Sequence, residues 1–228
     1  MQAYRDGAQK NGVKMVENTE VSGVVMRNNR VAAIKTNRQQ EFHCSTLINA
    51  AGAWAGQIGD MMGINIPVAP VKGQIILSER LPPIIKSCIS TSDCYIAQKD
   101  NGEILIGSTT EIKGFDTRRS YPELRSLVIG AVKALPILGS VAIKRTWAGL
   151  RPGSPDELPI LGGIPGIDGY LNACGHFRTG IVTSPITGKI IADLVLGKEP
   201  PIDVSPFLYE RFLQPDFEAT FSLESEVA

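Results

Sequence analysis

Apolar residues along this chain change period several times, and each change predicts an element. Residues 1–10 read as the end of a polar-faced helix with Gly12 as its C-cap, followed by a strand at 13–17. Period-two alternation then predicts a meander. Its parts are 21–27, the turn Asn28-Asn29, 31–36, a polar turn through Arg38, Gln39 and Gln40, and 41–45. Thr46-Leu47-Ile48-Asn49-Ala50-Ala51-Gly52 reads as a short buried strand ending in small residues, and 54–62 as a helix closing near Gly63. Small residues at a strand end let a ligand approach closely, and tight helix–strand packing uses the same residues.

The texture changes after Pro67 and Pro70. Longer strands are expected at 73–78, 88–98 and 103–109, the last two joined through Lys99-Asp100-Asn101-Gly102. Residues 121–138 form an amphipathic helix pattern with Pro122 in its first turn, 141–147 a strand, and 149–155 a loop. The expected organisation is therefore α/β (α+β). A first segment covers 1–73, an inserted unit 74–146, a return segment 147–200 and a tail 201–228, whose residues 222–228 should be frayed and exposed.

From 158 to 173 short strands broken by Gly-Gly, Pro-Gly and Asp-Gly lead into Gly175-His176-Phe177-Arg178-Thr179-Gly180-Ile181, and an apolar helix pattern runs from 182 to 197. A turn feeding a helix start offers unpaired N–H groups and the positive end of the helix dipole, which favour an electron-rich ligand. Many folds place two glycines before a helix with nothing bound. The turn is no P-loop, because Ile181 and Val182 follow Gly180 where Lys and Ser or Thr would be required.

Composition narrows the partners. The 228 residues are 43% hydrophobic, enough for one large core or two modest ones, and 23 basic residues balance 23 acidic ones. With no concentrated positive face, a small molecule is expected rather than nucleic acid. Cys44, Cys88, Cys94 and Cys174 form no Cys-x-x-Cys pair and only two histidines accompany them, so neither zinc nor a disulfide framework is expected. No run reaches the ~20 apolar residues that span a bilayer, which makes a cytoplasmic protein without membrane association the expectation.

Candidate chemistry rests on few side chains. Arg151, between Trp147 and Pro152-Gly153, suits bidentate capture of a carboxylate, or makes a structural ion pair. Tyr95, in Asp93-Cys94-Tyr95-Ile96, presents a hydroxyl to the same anion or packs in a core. Arg178 faces the ligand or solvates the turn. His176 has neither a nucleophile nor an orienting carboxylate beside it in sequence, and reads as a positioning group rather than a general base. No Gly-x-Ser-x-Gly elbow is present.

Five stretches in order resemble the D-amino-acid-oxidase-like flavoenzymes, and most closely the glycine oxidases. They are Ile48-Asn49-Ala50-Ala51-Gly52-Ala53-Trp54, Pro70-Val71-Lys72-Gly73-Gln74, Asp93-Cys94-Tyr95-Ile96, Trp147-Ala148-Gly149-Leu150-Arg151-Pro152-Gly153 and the turn 175–181. The resemblance implies an interrupted Rossmann-like FAD-binding domain with an inserted, mostly antiparallel substrate-binding domain. It further implies that Val21, Ala51, Gly52 and Trp54 line the dinucleotide cleft, and that Gly175, His176, Arg178, Thr179, Gly180 and Ile181 border the flavin. Tyr95, Arg151 and Arg178 would hold the substrate. The implied reaction is hydride transfer from the α-carbon of a small amino acid or amine to FAD, then imine hydrolysis and peroxide formation, with a place in thiamine biosynthesis.

The family's opening strand, Gly-x-Gly-x-x-Gly turn and helix have no counterpart here, and roughly 150 residues of its usual architecture lie outside the match. Weak FAD retention by this chain alone is therefore expected, together with homo-oligomers or association with a complementary half. Two alternatives stand beside the oxidase. One is a flavin subunit of an opine, proline or hydrogen-cyanide-forming dehydrogenase, which passes electrons to a partner. The other is a non-catalytic module.

Overall fold

The computed structural model describes residues 2–221 and contains two sheets, each with its own hydrophobic core. The first is six-stranded, in the order β1 (Val21–Arg27), β2 (Arg30–Thr36), β11 (Ile167–Cys174) and β10 (Ile160–Ile164), with β3 (Glu41–His43) on β2 and β4 (Leu47–Asn49) on β11. Asn28 and Asn29 both take positive φ, 51° and 60°, which matches the twist of a two-residue hairpin and fixes the register Arg27↔Arg30. β4 runs parallel to β11, with Ile48 opposite Leu171. One face of this sheet packs Val31, Ile160 and Tyr170 against Ala55 of helix α2 (Ala55–Asp60) and against Ile66 and Val68, and Tyr209 and Phe212 close it from the tail.

The second sheet is five-stranded and wholly antiparallel, in the order β6 (Ile89–Ser90), β7 (Tyr95–Gln98), β8 (Glu103–Gly107), β5 (Ala69–Arg80) and β9 (Ile143–Gly153). Its core joins Ile76, Ile96, Ile104 and Ile106 to Leu127 and Ala131 of helix α3 (Tyr121–Ala134), which has Pro122 in its first turn. Helix α4 (Gly180–Val195) follows β11, and helix α1 (Gln2–Lys10) precedes β1 with no buried residue.

The expected α/β architecture with an antiparallel insertion is present, but several local expectations change. Residues 13–17 are not a strand. Val13, Met15 and Val16 are exposed, and among the described residues no strand pairs with them, so strand-like residues alone did not make a ladder. The expected strand 88–98 is split, because the Thr91 hydroxyl accepts from the Asp93 and Cys94 amides and turns the chain between β6 and β7. Residues 149–155 are not a loop up to Gly153. β9 continues through them, pairing Arg151 with Val71 and Pro152 with Pro70. β9 is an edge strand, where proline's missing N–H is tolerated. The expected segment limits at 73/74 and 146/147 accordingly fall inside β5 and β9, which run unbroken across them. The predicted helix 121–138 ends at Ala134, and a 3₁₀ turn follows over Pro136–Ser140. The expected fraying at 222–228 lies outside the described residues, as does Met1.

Candidate functional site

Where the two sheets meet, the ends of β7, β8 and β9 and the start of α4 enclose a cleft of about 830 Å³. Tyr95, Arg151, Arg178, Gly180 and Ile181 all line it, so residues far apart in sequence converge. β9 carries Arg151 to the cleft, and the side chain lies across the backbone of β5 at Gly73. A Cβ at position 73 would come within 2.3 Å of the guanidinium. Tyr95 lies over Gly107 in the same way, where a Cβ would meet its ring at 2.8 Å. Glycine is used at both points for close approach, and neither needs a positive φ.

The Arg151 guanidinium donates from Nη1 to the Thr109 carbonyl at 3.1 Å and from Nη2 to the Ser108 hydroxyl. Both anchors are neutral. Among the described residues Arg151 forms no ion pair. Burial, and then the nearby Arg178, push its pKa down. Arg178 donates to the Thr110 hydroxyl at 3.1 Å, sits over the Phe177 ring at 4.9 Å, and likewise has no acidic partner among the described residues. Two guanidinium groups without an acidic partner among the described residues therefore line one cleft, which Asp93 also borders. Burial raises the Tyr95 hydroxyl pKa, which keeps it a neutral donor at physiological pH, and Arg151 pulls the other way.

A second cleft, of about 790 Å³, adjoins the first and shares Pro152, Gly180 and Ser184 with it. Ala50, Gly52, Ala173, Gly188 and Ala192 give it a wall of small side chains. A Cβ at Gly52 or Gly188 would meet nothing within 4 Å, so open space faces the backbone there. No side chain caps the start of α4, whose Ile181 and Val182 are 80% and 84% exposed. The pair of clefts fits a flat dinucleotide cofactor on one side and an anionic substrate on the other. Ala50, Gly52 and Gly180 at the start of α4 are the residues that could hold the cofactor.

Not every predicted residue lines these clefts. Gly52, His176 and Gly180 do, but Val21, Ala51, Trp54, Gly175 and Thr179 do not. Val21 begins β1 at the sheet margin. Ala51 precedes the 3₁₀ turn that ends in Trp54, and Trp54 stacks on Phe115 at 5.4 Å. Gly175 has φ +71° and packs near Ile160, while Thr179 hydrogen-bonds the His176 carbonyl. His176 is buried, with Nε2 2.9 Å from the Thr187 hydroxyl, and burial lowers its ring pKa. It joins the turn to α4 as a neutral ring. Sequence reasoning missed Ser108, Thr109 and Thr110, which hold both arginines. The run of three hydroxyl residues directly after an apolar strand was the available signal.

Residues 1–194 match the family described as FAD dependent oxidoreductase (DAO). The chain belongs to this family. It is 60% identical over 211 residues to the hydrogen cyanide synthase subunit HcnC of Pseudomonas protegens, covering 92% of this chain and 51% of that protein. It is 38% identical to glycine oxidase of Pseudomonas aeruginosa, covering 86% and 53%. Among solved structures, glycine oxidase from Geobacillus kaustophilus superposes with a TM-score of 0.82 at 33% identity, over 88% of this chain and 54% of that one. The chain thus spans about half the length of the curated relatives it matches. The resemblance to glycine oxidase holds, and identity to the cyanide synthase subunit is higher.

Proposed function

We propose that this chain supplies the substrate-binding half of an FAD-dependent oxidoreductase that oxidises glycine in hydrogen cyanide formation. The observation that supports this is the half-buried Arg151 guanidinium, without an ion pair among the described residues and fixed by neutral groups beside Tyr95 and Arg178. Arg151 captures the amino acid's carboxylate, Tyr95 donates to the same group, and the clamp holds the α-carbon toward the neighbouring cleft. Ala50, Gly52 and Gly180 in that cleft would hold FAD, which would supply the hydride-accepting chemistry. Arg151 and Tyr95 serve here to orient the substrate, and His176, which lines the neighbouring cleft and is bonded to the Thr187 hydroxyl, holds the turn into α4.

Hydrogen cyanide retains one carbon and one nitrogen, so glycine is the amino acid that yields it on losing carbon dioxide. Glycine becomes hydrogen cyanide, carbon dioxide, four protons and four electrons, which requires two successive two-electron oxidations. The greater identity to the cyanide synthase subunit than to glycine oxidase favours this over a place in thiamine biosynthesis, and favours electron delivery to a partner over oxygen. The exposed apolar first turn of α4 accords with cover from a further segment or subunit.

The test is an anaerobic titration of the flavin-loaded protein with glycine, following loss of the visible flavin absorbance, then assays of cyanide with an added electron acceptor and of peroxide in air. Glycine should bleach the flavin and give cyanide with little peroxide. Arg151→Ala should weaken the response about 100-fold, the weight of ~3 kcal/mol of charge-assisted hydrogen bonding. An unchanged response in that variant sinks the clamp, and peroxide without cyanide returns the chain to the oxidase reading.

A further inference from the structure

The ladder between β5 and β8 stops at Gly107, yet the amides of β5 beyond that point are not left unpaired. The Gln74 N–H donates to the Thr109 hydroxyl at 2.9 Å, and Lys72 and Glu111 exchange both backbone hydrogen bonds at 2.9 Å. Their side chains form an ion pair of 2.8 Å, exposed only 4% and 8%. Glu111 also accepts from the Thr109 hydroxyl and from Gln74 Nε2 at 2.9 Å. A buried ion pair contributes little net stability compared with apolar packing of the same volume, so its presence in mid-strand calls for another role.

The geometry points to that role. We propose that Thr109 and the Lys72–Glu111 pair are positioning residues that fix the segment whose Ser108 hydroxyl and Thr109 carbonyl aim Arg151 into the cleft. The inference rests on the proposed carboxylate capture by Arg151. Placing the acid one layer behind the arginine matters electrostatically. Glu111 is satisfied by Lys72, so the segment is held rigidly while the Arg151 charge stays available to substrate. An acid bonded directly to Arg151 would hold it equally well and cancel that charge.

Calorimetric titration of the flavin-loaded protein with glycolate, a carboxylate lacking the amino group, tests this apart from turnover. Thr109→Val removes the hydroxyl at nearly constant volume, and should weaken glycolate about tenfold at a temperature well below the unfolding midpoint. Thr109→Ser, which restores the hydroxyl, should bind within about twofold of the parent. Thr109→Ala reads the same loss if the valine variant fails to fold. Unchanged affinity in the variants lacking the hydroxyl overturns the inference, as does equal weakening in the serine variant, which would reveal a packing effect. Arg151→Ala separates the two levels. If it abolishes binding while the Thr109 variants do not alter it, only the positioning role fails, and if it binds glycolate normally, the clamp fails and this inference with it.

Discussion

The two sheets treat their borders with the shared site in opposite ways. The five-stranded sheet buries polar side chains to build its half: Lys72, Gln74 and Glu111 lie behind Arg151, and glycines at 73 and 107 let Arg151 and Tyr95 lie against backbone. The second cleft, beside the six-stranded sheet, is walled by small residues, and the adjoining first turn of α4 leaves Ile181 and Val182 in water. Arg151 and Arg178 are held by hydrogen bonds within this chain, to Ser108, Thr109 and Thr110. The second cleft is an open wall of small and apolar residues. A carboxylate is recognised by a few directed bonds, which one sheet can supply, whereas a dinucleotide needs enclosure from several directions.

The sharpest way to break this contrast is Gly73→Ala. The added methyl would sit 2.3 Å from Arg151 Nη2 and 2.5 Å from Cζ, and the flexible arginine, not the strand, would yield. Glycolate affinity by calorimetry should fall on the order of 100-fold, the usual consequence of moving a binding group by about an ångström. The thermal midpoint should stay the same or rise slightly, because alanine restricts the unfolded chain. A matching loss of stability would mean that Gly73 serves the sheet and not the clamp.

Much of this was legible in the chain itself, and what was missed has a common cause. The Asn28-Asn29 hairpin, the start of α3 at Tyr121 and Pro122 and the turn into α4 are local, set by φ preferences and periodicity that neighbouring residues carry. The course of β9 through Pro152 was hidden, because proline and glycine read as a loop until the partner β5 is known. Residues 13–17 failed in the other direction, with strand-like residues and no partner strand among those described. Arg151, Tyr95 and Arg178 could be named as candidates, but their convergence, and the neutral anchoring of both arginines by residues 108–110, depend on contacts spanning 42 to 68 positions. The burial of Lys72 and its pairing with Glu111, 39 positions away, likewise depend on contacts that the sequence does not display.

That buried pair makes the five-stranded half the more acid-sensitive. Burial alone would raise the Glu111 carboxyl, but hydrogen bonds from Lys72, Thr109 and Gln74 outweigh it and hold its pKa below the ordinary carboxylate value. With the folded value depressed, its stabilising effect is complete above the ordinary carboxylate value and is lost as pH falls through the folded one. Urea midpoints measured from pH 7 down to pH 3 should therefore decline, and Glu111→Gln should flatten that decline while lowering the midpoint at pH 7. An equally steep acid limb in the glutamine variant would assign the sensitivity to other carboxylates.

The smallest effect on folding is expected where the six-stranded half meets solvent. Ile181 is 80% exposed in the first turn of α4, so Ile181→Ser deletes almost no buried contact and should change unfolding stability by less than about 0.5 kcal/mol. If that turn holds the cofactor, the same variant should retain flavin several-fold more weakly, measured by fluorescence as free flavin is titrated out. Stability and flavin affinity would then separate at Ile181 as stability and carboxylate affinity separate at Gly73. A residue that altered neither would show that the exposed turn faces another part of the protein, and would move the cofactor's contacts toward the small residues at Ala50, Gly52 and Gly188.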